Sequence, residues 1–306
     1  MNNNEEIQKY IEKRIRESGN NIPTIDELNG FLAEWMQITN SRPLVDFEGY
    51  SPSEMQLIIY NLFEENCPIQ FANFDEEVCD FVPLFRQANF LLKIIEKEEN
   101  LKLTKTGNLP PRIVKEMYPL GTPDLYIQEG ITVLRTEKDS ISVQMARIAV
   151  ELMGVVKKRS NSLSLTNNGK KLIKDNRRLL TNMLTVLLTK FNLAYFDYFS
   201  SDSIGLVAPG YSLVLLKRYG KKERRDTFYS DKYFTTFPIL LEEVEERYRS
   251  REEIANNCYS NRIFNLLFNH LGLVTIKENK DYTREITKLI RRTTLFETLF
   301  TFKHVH

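Results

Sequence analysis

Along the first hundred residues apolar positions recur every three or four, the period of amphipathic helices. In "NIPTIDELNGFLAEWMQ" Leu28, Phe31, Leu32 and Trp35 follow Thr24 and Glu27, which together form a capping box. "YSPSEMQLIIYNLFEEN" repeats the device: Ser51 caps, Pro52 takes the first helical position and Glu54 reaches back. Val78, Phe81, Phe85, Phe90, Leu91 and Ile94 predict a further helix from about Asp75 to Lys97.

Beyond that helix the period changes. Two phrases share the pattern Leu-x-Leu-Thr-x-x-Gly, first at Leu101, Leu103, Thr104 and Gly107, then at Leu163, Leu165, Thr166 and Gly169. Each alternates like a short strand and then places a capping Thr before a helical period, so each predicts strand running into helix. Between them "DSISVQMARIAVELMG" is a helix stopped by Gly154, and "VVKKRSNSLSLT" is two short runs around Ser160 and Asn161, a small hairpin. Helix, strand, helix, helix, hairpin is the order of a winged helix, with Leu101–Leu103 and Leu163–Leu165 as strands of one sheet. The closing half of that order recurs in "NRIFNLLFNHLGLVTIKENKDYTREITKL", behind a capping Ser250 and Glu253 and with a polar turn at Asn279, Lys280 and Asp281. "RRLLTNMLTVLLTKFNLAYF" reads as a connecting helix. The expected fold is mostly α: a helical N-terminal region (1–84), a winged-helix-like domain (85–180), then a helical connector and second winged-helix-like domain (181–306), with small β-hairpin wings.

The stretch "LLKIIEKEENLKLTKTGNLPPRIVKEM" through "MARIAVELMGVVKKRSNSLSLTNNGKKLI", over about residues 90–175, resembles the helical, winged-helix-like region of the plasmid pRiA type open-reading-frame-three-like family. There a Leu-Thr-x-x-Gly-Asn-Leu phrase precedes a basic Leu-Thr-x-x-Gly phrase. The chain carries no evident copy of that family's separate β-rich core, so the resemblance implies a fold and little about function.

Composition narrows the classes. With 306 residues and 42% hydrophobic content the chain can bury real cores. No apolar run approaches membrane-spanning length and the polar start "MNNNEEIQKYIEKRIRES" is no secretory signal, so no membrane partner and a cytoplasmic location are expected. Cys67, Cys79 and Cys258 are too scattered for a disulfide framework and read as reduced, buried thiols. The net charge of +1 conceals a polarity: residues 1–100 hold 8 Lys plus Arg against 19 Asp plus Glu, a net −11, and the remainder 34 against 22, a net +12.

Catalytic signatures are scarce. His270 lies on an apolar helix and His304 and His306 in the tail; no metalloprotease, Cys-x-x-Cys, nucleophile-elbow or phosphate-loop motif occurs, and "GLVAPGYS" (205–212) lacks the phosphate-binding Lys and reads as a helix start. Asp75, Glu76, Glu77 and Asp80 suit the positive end of a helix, although clustered carboxylates also serve metal-dependent nucleases; Asp46 with Glu48, and Pro123-Asp124, raise that reading only weakly. No catalytic residue, cofactor or metal is expected. Basic runs carry more. Lys157, Lys158 and Arg159 fall on the first wing, Lys170, Lys171, Lys174, Arg177 and Arg178 on the helix after it, and "KRYGKKERRD" gathers Lys217, Arg218, Lys221, Lys222, Arg224 and Arg225 around Tyr219. Such cations meet phosphates and the tyrosine could stack on a base. On the expected recognition helix only Gln144 and Arg147 could read bases, and Glu151 would repel phosphates. The leading expectation is a non-enzymatic double-stranded-DNA-binding protein, a regulator or mobile-element-associated factor. Its rival is an interaction scaffold for an unknown protein partner, with a homodimer allowed, and a nuclease is the third choice.

Overall fold

Caps fix the first boundaries. The computed structural model describes residues 3–19, 22–246, 249–280 and 286–303, and the chain divides into two units, Met1–Leu57 and Ile58–His306. In the first, α1 (Asn3–Ser18) and α2 (Ile25–Asn40) pack as a helical hairpin, and α2 starts at the expected Thr24/Glu27 capping box. At α3 (Pro52–Tyr60) Ser51 and Glu54 cap reciprocally, the Glu54 carboxylate accepting the Ser51 N–H at 2.8 Å.

The helix expected from about Asp75 is broken. A short strand, β1 (Ile69–Phe71), is followed by a tight turn at Glu76–Phe81, and α4 runs only from Pro83 to Glu98. Proline at the first helical position disfavours helical backbone before it, and Val82 is extended at φ −90°, ψ 106°. Next come β2 (Leu101–Lys102), α5 (Pro111–Met117), α6 (Leu125–Gln128), α7 (Ile141–Leu152), β3 (Val156–Arg159), β4 (Ser162–Leu165) and α8 (Asn167–Leu172).

The small sheet has the order β2-β4-β3, all antiparallel, with Leu101 opposite Leu163 and Val156 opposite Leu165. Leu101, Leu103, Leu163 and Leu165 are all buried, each stabilising the sheet by about 1.5–3 kcal/mol. The duplicated phrase therefore does make two strands of one sheet, but its Thr residues differ. Thr166 caps α8 by accepting the Gly169 N–H at 2.9 Å. Thr104 instead closes a turn, accepting the Asn108 N–H at 3.1 Å, and α5 begins at Pro111 without a side-chain cap.

The expected connector is α9 (Asn176–Thr189), capped by Asp175. Then follow α10 (Pro209–Tyr219), β5 (Arg224–Arg225), α11 (Asp226–Thr236), α12 (Arg251–Tyr259) continuing as a π-helical segment over Ser260–Phe268, β6 (Val274–Lys280), β7 (Ile286–Arg292), α13 (Thr294–Leu299) and β8 (Phe300–Phe302). The sheet order β5-β7-β6 repeats that of β2-β4-β3, strand for strand along the chain. β8 pairs antiparallel with β1, joining the two ends of this unit. Asp281, His304 and His306 lie outside the described residues.

Candidate nucleic-acid interface

Helix α7, expected from the sequence to read bases, is covered. It packs against α4 and α9, and Leu152 is its one exposed residue. Both expected base readers are engaged within the fold. Arg147 is 8% exposed and its guanidinium bonds Glu137 at 2.7 Å and Glu151 at 2.9 Å. Burial lowers the Arg147 pKa, but the two carboxylates more than offset it, so the charge is held firmly inside. Glu137 is anchored again by the Leu109 N–H at 2.6 Å. Gln144 is half-buried and folds back, its Nε2 donating to the carbonyls of Lys138 and Ser140 at 3.2 and 3.4 Å.

The second motif does the same thing with residues the sequence did not single out. On the π-helical segment Arg262 is fully buried, bonds both carboxylate oxygens of Asp197 at 2.7 and 2.9 Å, and donates to the Ile204 carbonyl at 2.8 Å. Neither the Glu137 nor the Asp197 pairing has a local sequence signature, because the partners meet only across the fold.

The β3–β4 hairpin is different. Lys157, Lys158 and Arg159 are exposed on β3, as are Lys170, Lys171 and Lys174 beside it. β4 alternates, burying Leu163 and Leu165, whereas on β3 only Val156 is buried and the three cations that follow it are all exposed. Lys157, Lys170 and Lys174 line one groove of about 530 Å³ together with Glu96 of α4 and Glu99 just after it. An anion there would be attracted by the lysines and repelled by the two glutamates.

The stretch from Lys217 to Arg225 is partly committed to its own fold. Lys217 bonds Glu297 at 2.8 Å, and the Arg224 guanidinium sits 4.5 Å from the Phe228 ring centroid. Tyr219 is not a free stacking platform: Phe228 meets it edge-on at 4.9 Å, and Arg224, Lys232 and Arg218 lie 5.5, 5.6 and 6.0 Å from its ring. Lys221, Lys222 and Arg225 are exposed, with Glu223 between them paired to Lys277. The two basic runs sit on different sheets, the first on β3 and the second reaching β5.

Other candidate chemistry resolves into structure. Glu76 accepts the Asn176 N–H at 3.3 Å, Asp124 caps α6 through the Tyr126 N–H, and "GLVAPGYS" leads into α10 at Pro209. Cys67, Cys79 and Cys258 are buried free thiols, and burial pushes the Cys79 and Cys258 thiols up to about 11 and about 12. Among the described residues no group of three His, Cys, Asp or Glu could hold a metal ion, and no helix is long and apolar enough to cross a membrane. In comparisons with known proteins the chain matches no family model, no curated protein and no solved structure.

Proposed function

We propose that the protein is a non-enzymatic nucleic-acid-binding protein built on two winged-helix-like motifs, and that it grips duplex DNA by the phosphate backbone through the first wing and α8. The convergence of Lys157, Lys170 and Lys174 on one groove carries this reading. Sequence-specific reading by α7 forms no part of it, since Arg147 is consumed by Glu137 and Glu151. Binding should then be general in sequence and steeply weakened by salt. Fluorescence anisotropy with random duplex at two salt concentrations tests it. Changing Lys157, Lys170 and Lys174 together to Glu should weaken binding alike for all sequences and flatten the log-log salt slope by about three units, one per lost contact. No binding by the native chain in low salt, or binding unaltered in the triple variant, would remove the reading.

The scaffold reading has one observation of its own. The helical hairpin leaves Ile25 77% and Met36 54% exposed, so α2 offers apolar surface. It takes precedence if the duplex titration fails.

A further inference from the structure

A second groove, of about 710 Å³, runs along α9 and uses none of the wing residues. One wall carries aromatic rings: Tyr60 is 76% exposed, and Phe63 stacks on Phe71 with centroids 4.1 Å apart. Phe63 holds φ +69°, a left-handed conformation that a bulky aromatic side chain adopts only under constraint from its surroundings. Such strain collects at ligand clamps, and here it sets a ring on the groove wall.

The facing wall is polar and cationic. Arg178, Asn182 and Lys190 line it at helical spacing, with Thr181, Thr185 and Thr189 between them. Each threonine hydroxyl donates back into the helix, to the carbonyls of Arg178, Thr181 and Thr185 at 3.1, 2.8 and 2.6 Å, which leaves its oxygen as an acceptor. Glu64 is the one acid among the described lining residues, and it accepts the Asn61 amide at 2.9 Å. Arg178 and Lys190 are twelve residues apart, roughly 18 Å along a helix at its usual rise, too far for one phosphate group to bridge.

We propose that this groove holds a short single-stranded nucleic-acid segment, bases against Tyr60 and Phe63, phosphates on Arg178 and Lys190, and base edges within reach of Asn182 and the threonine oxygens. Rings opposite cations along a groove longer than a mononucleotide are what such a strand requires. A duplex would present no open base face to the rings.

The test is anisotropy with a fluorescein-labelled oligothymidylate in low salt. Tyr60→Ala and Arg178→Glu should each weaken binding about tenfold, both at exposed positions whose unchanged thermal melting would show the fold intact. The Lys157→Glu, Lys170→Glu, Lys174→Glu variant should retain oligothymidylate binding while losing duplex, so failure of one site is distinguishable from failure of the other. No binding by the native chain, indifference to Tyr60→Ala, or equal displacement by polyglutamate, the mark of an acidic-peptide groove, would each overturn the proposal.

Discussion

Thr166 donates its hydroxyl to the carbonyl of Gly154 at 2.8 Å, joining the last strand of the first hairpin to the residue that ends helix α7. The same threonine accepts the Gly169 N–H, and its own N–H bonds the Val155 carbonyl at 3.0 Å. Thr293 repeats all three bonds in the second motif: hydroxyl to the Gly272 carbonyl at 2.7 Å, acceptor for the Phe296 N–H, and N–H to the Leu273 carbonyl at 2.9 Å. Gly154 and Gly272 both hold left-handed backbone, φ +67° and +70°, where a side chain is disfavoured. One clasp therefore closes both hairpins at the base.

Replacing either threonine by valine keeps the shape and removes the cap and the hydroxyl bond. Thr166→Val and Thr293→Val should each destabilise by about 1–3 kcal/mol, the sum of a lost helix cap and one lost hydrogen bond. Urea unfolding followed by circular dichroism measures it, and Ser at either site should restore most of the loss.

Arg147 offers a sharper contrast with the expectation that it reads bases. Arg147→Ala leaves the Glu137 carboxylate buried with only a backbone N–H for company, and should cost about 3–5 kcal/mol. Adding Glu137→Gln should recover part of that loss, because the amide oxygen still accepts the Leu109 N–H and no charge is stranded. A fully folded Arg147→Ala protein that discriminates poorly between DNA sites would contradict this.

Local signals were legible because they need few residues. The caps at Thr24, Ser51, Thr166 and Ser250 lie beside the backbone they satisfy, and the Leu-x-Leu alternation fixes which face of a strand is buried. The break before α4 was also written in Pro83, but the apolar spacing of Val78, Phe81 and Phe85 masked it; Phe81 is in fact 70% exposed. What stayed hidden depends on distant partners. β1 is a strand only because Phe300–Phe302 lies beside it, and Arg147 looks like a surface cation until Glu137 is placed within 2.7 Å. The run of cations on β3 is exposed, but nothing in the sequence separates it from Lys217, which is bonded to Glu297.

The two glycines of the repeated phrase should respond differently to alanine. A Cβ at Gly169 would stand 2.0 Å from the Val155 carbonyl oxygen, so the junction between the β3–β4 hairpin and α8 must open, costing about 1–3 kcal/mol or more. Gly107 is open apart from the Lys158 ammonium at 3.2 Å, but its φ of +79° makes alanine costly by about 1 kcal/mol. Paired urea titrations rank them, and a smaller loss at Gly169 than at Gly107 would contradict the packing argument.

Acid should weaken the second unit through His270. Burial lowers its pKa below the ordinary 6.5, only partly opposed by the Asn265 carbonyl on its Nδ1. The unfolded chain then binds the proton more readily, so the contribution is complete above the unfolded pKa and is lost as pH falls through the folded one. The unfolding midpoint should drop between about pH 7 and about pH 5, and His270→Gln should flatten that dependence.

The closing strand gives the last prediction. Phe300 is 2% exposed, lies 5.9 Å centroid to centroid from both Phe63 and Phe71, and pairs backbone to backbone with Phe71. Ile69, opposite Phe302, is fully buried, and the Lys303 N–H bonds the Pro68 carbonyl at 2.8 Å. Phe300→Ala removes the ring that backs the Phe63–Phe71 stack and should cost about 3–5 kcal/mol, as for other buried phenylalanines. Exposed Thr301, changed to Ala, should cost well under about 1 kcal/mol. Because Phe63 keeps its left-handed backbone only under the constraint of its neighbours, Phe300→Ala should also increase protease cleavage near Phe63 before global unfolding. Limited proteolysis with chymotrypsin, read by mass spectrometry, checks this: equal cleavage of the native and Phe300→Ala proteins at that loop would mean that β8 does not hold the aromatic wall in place.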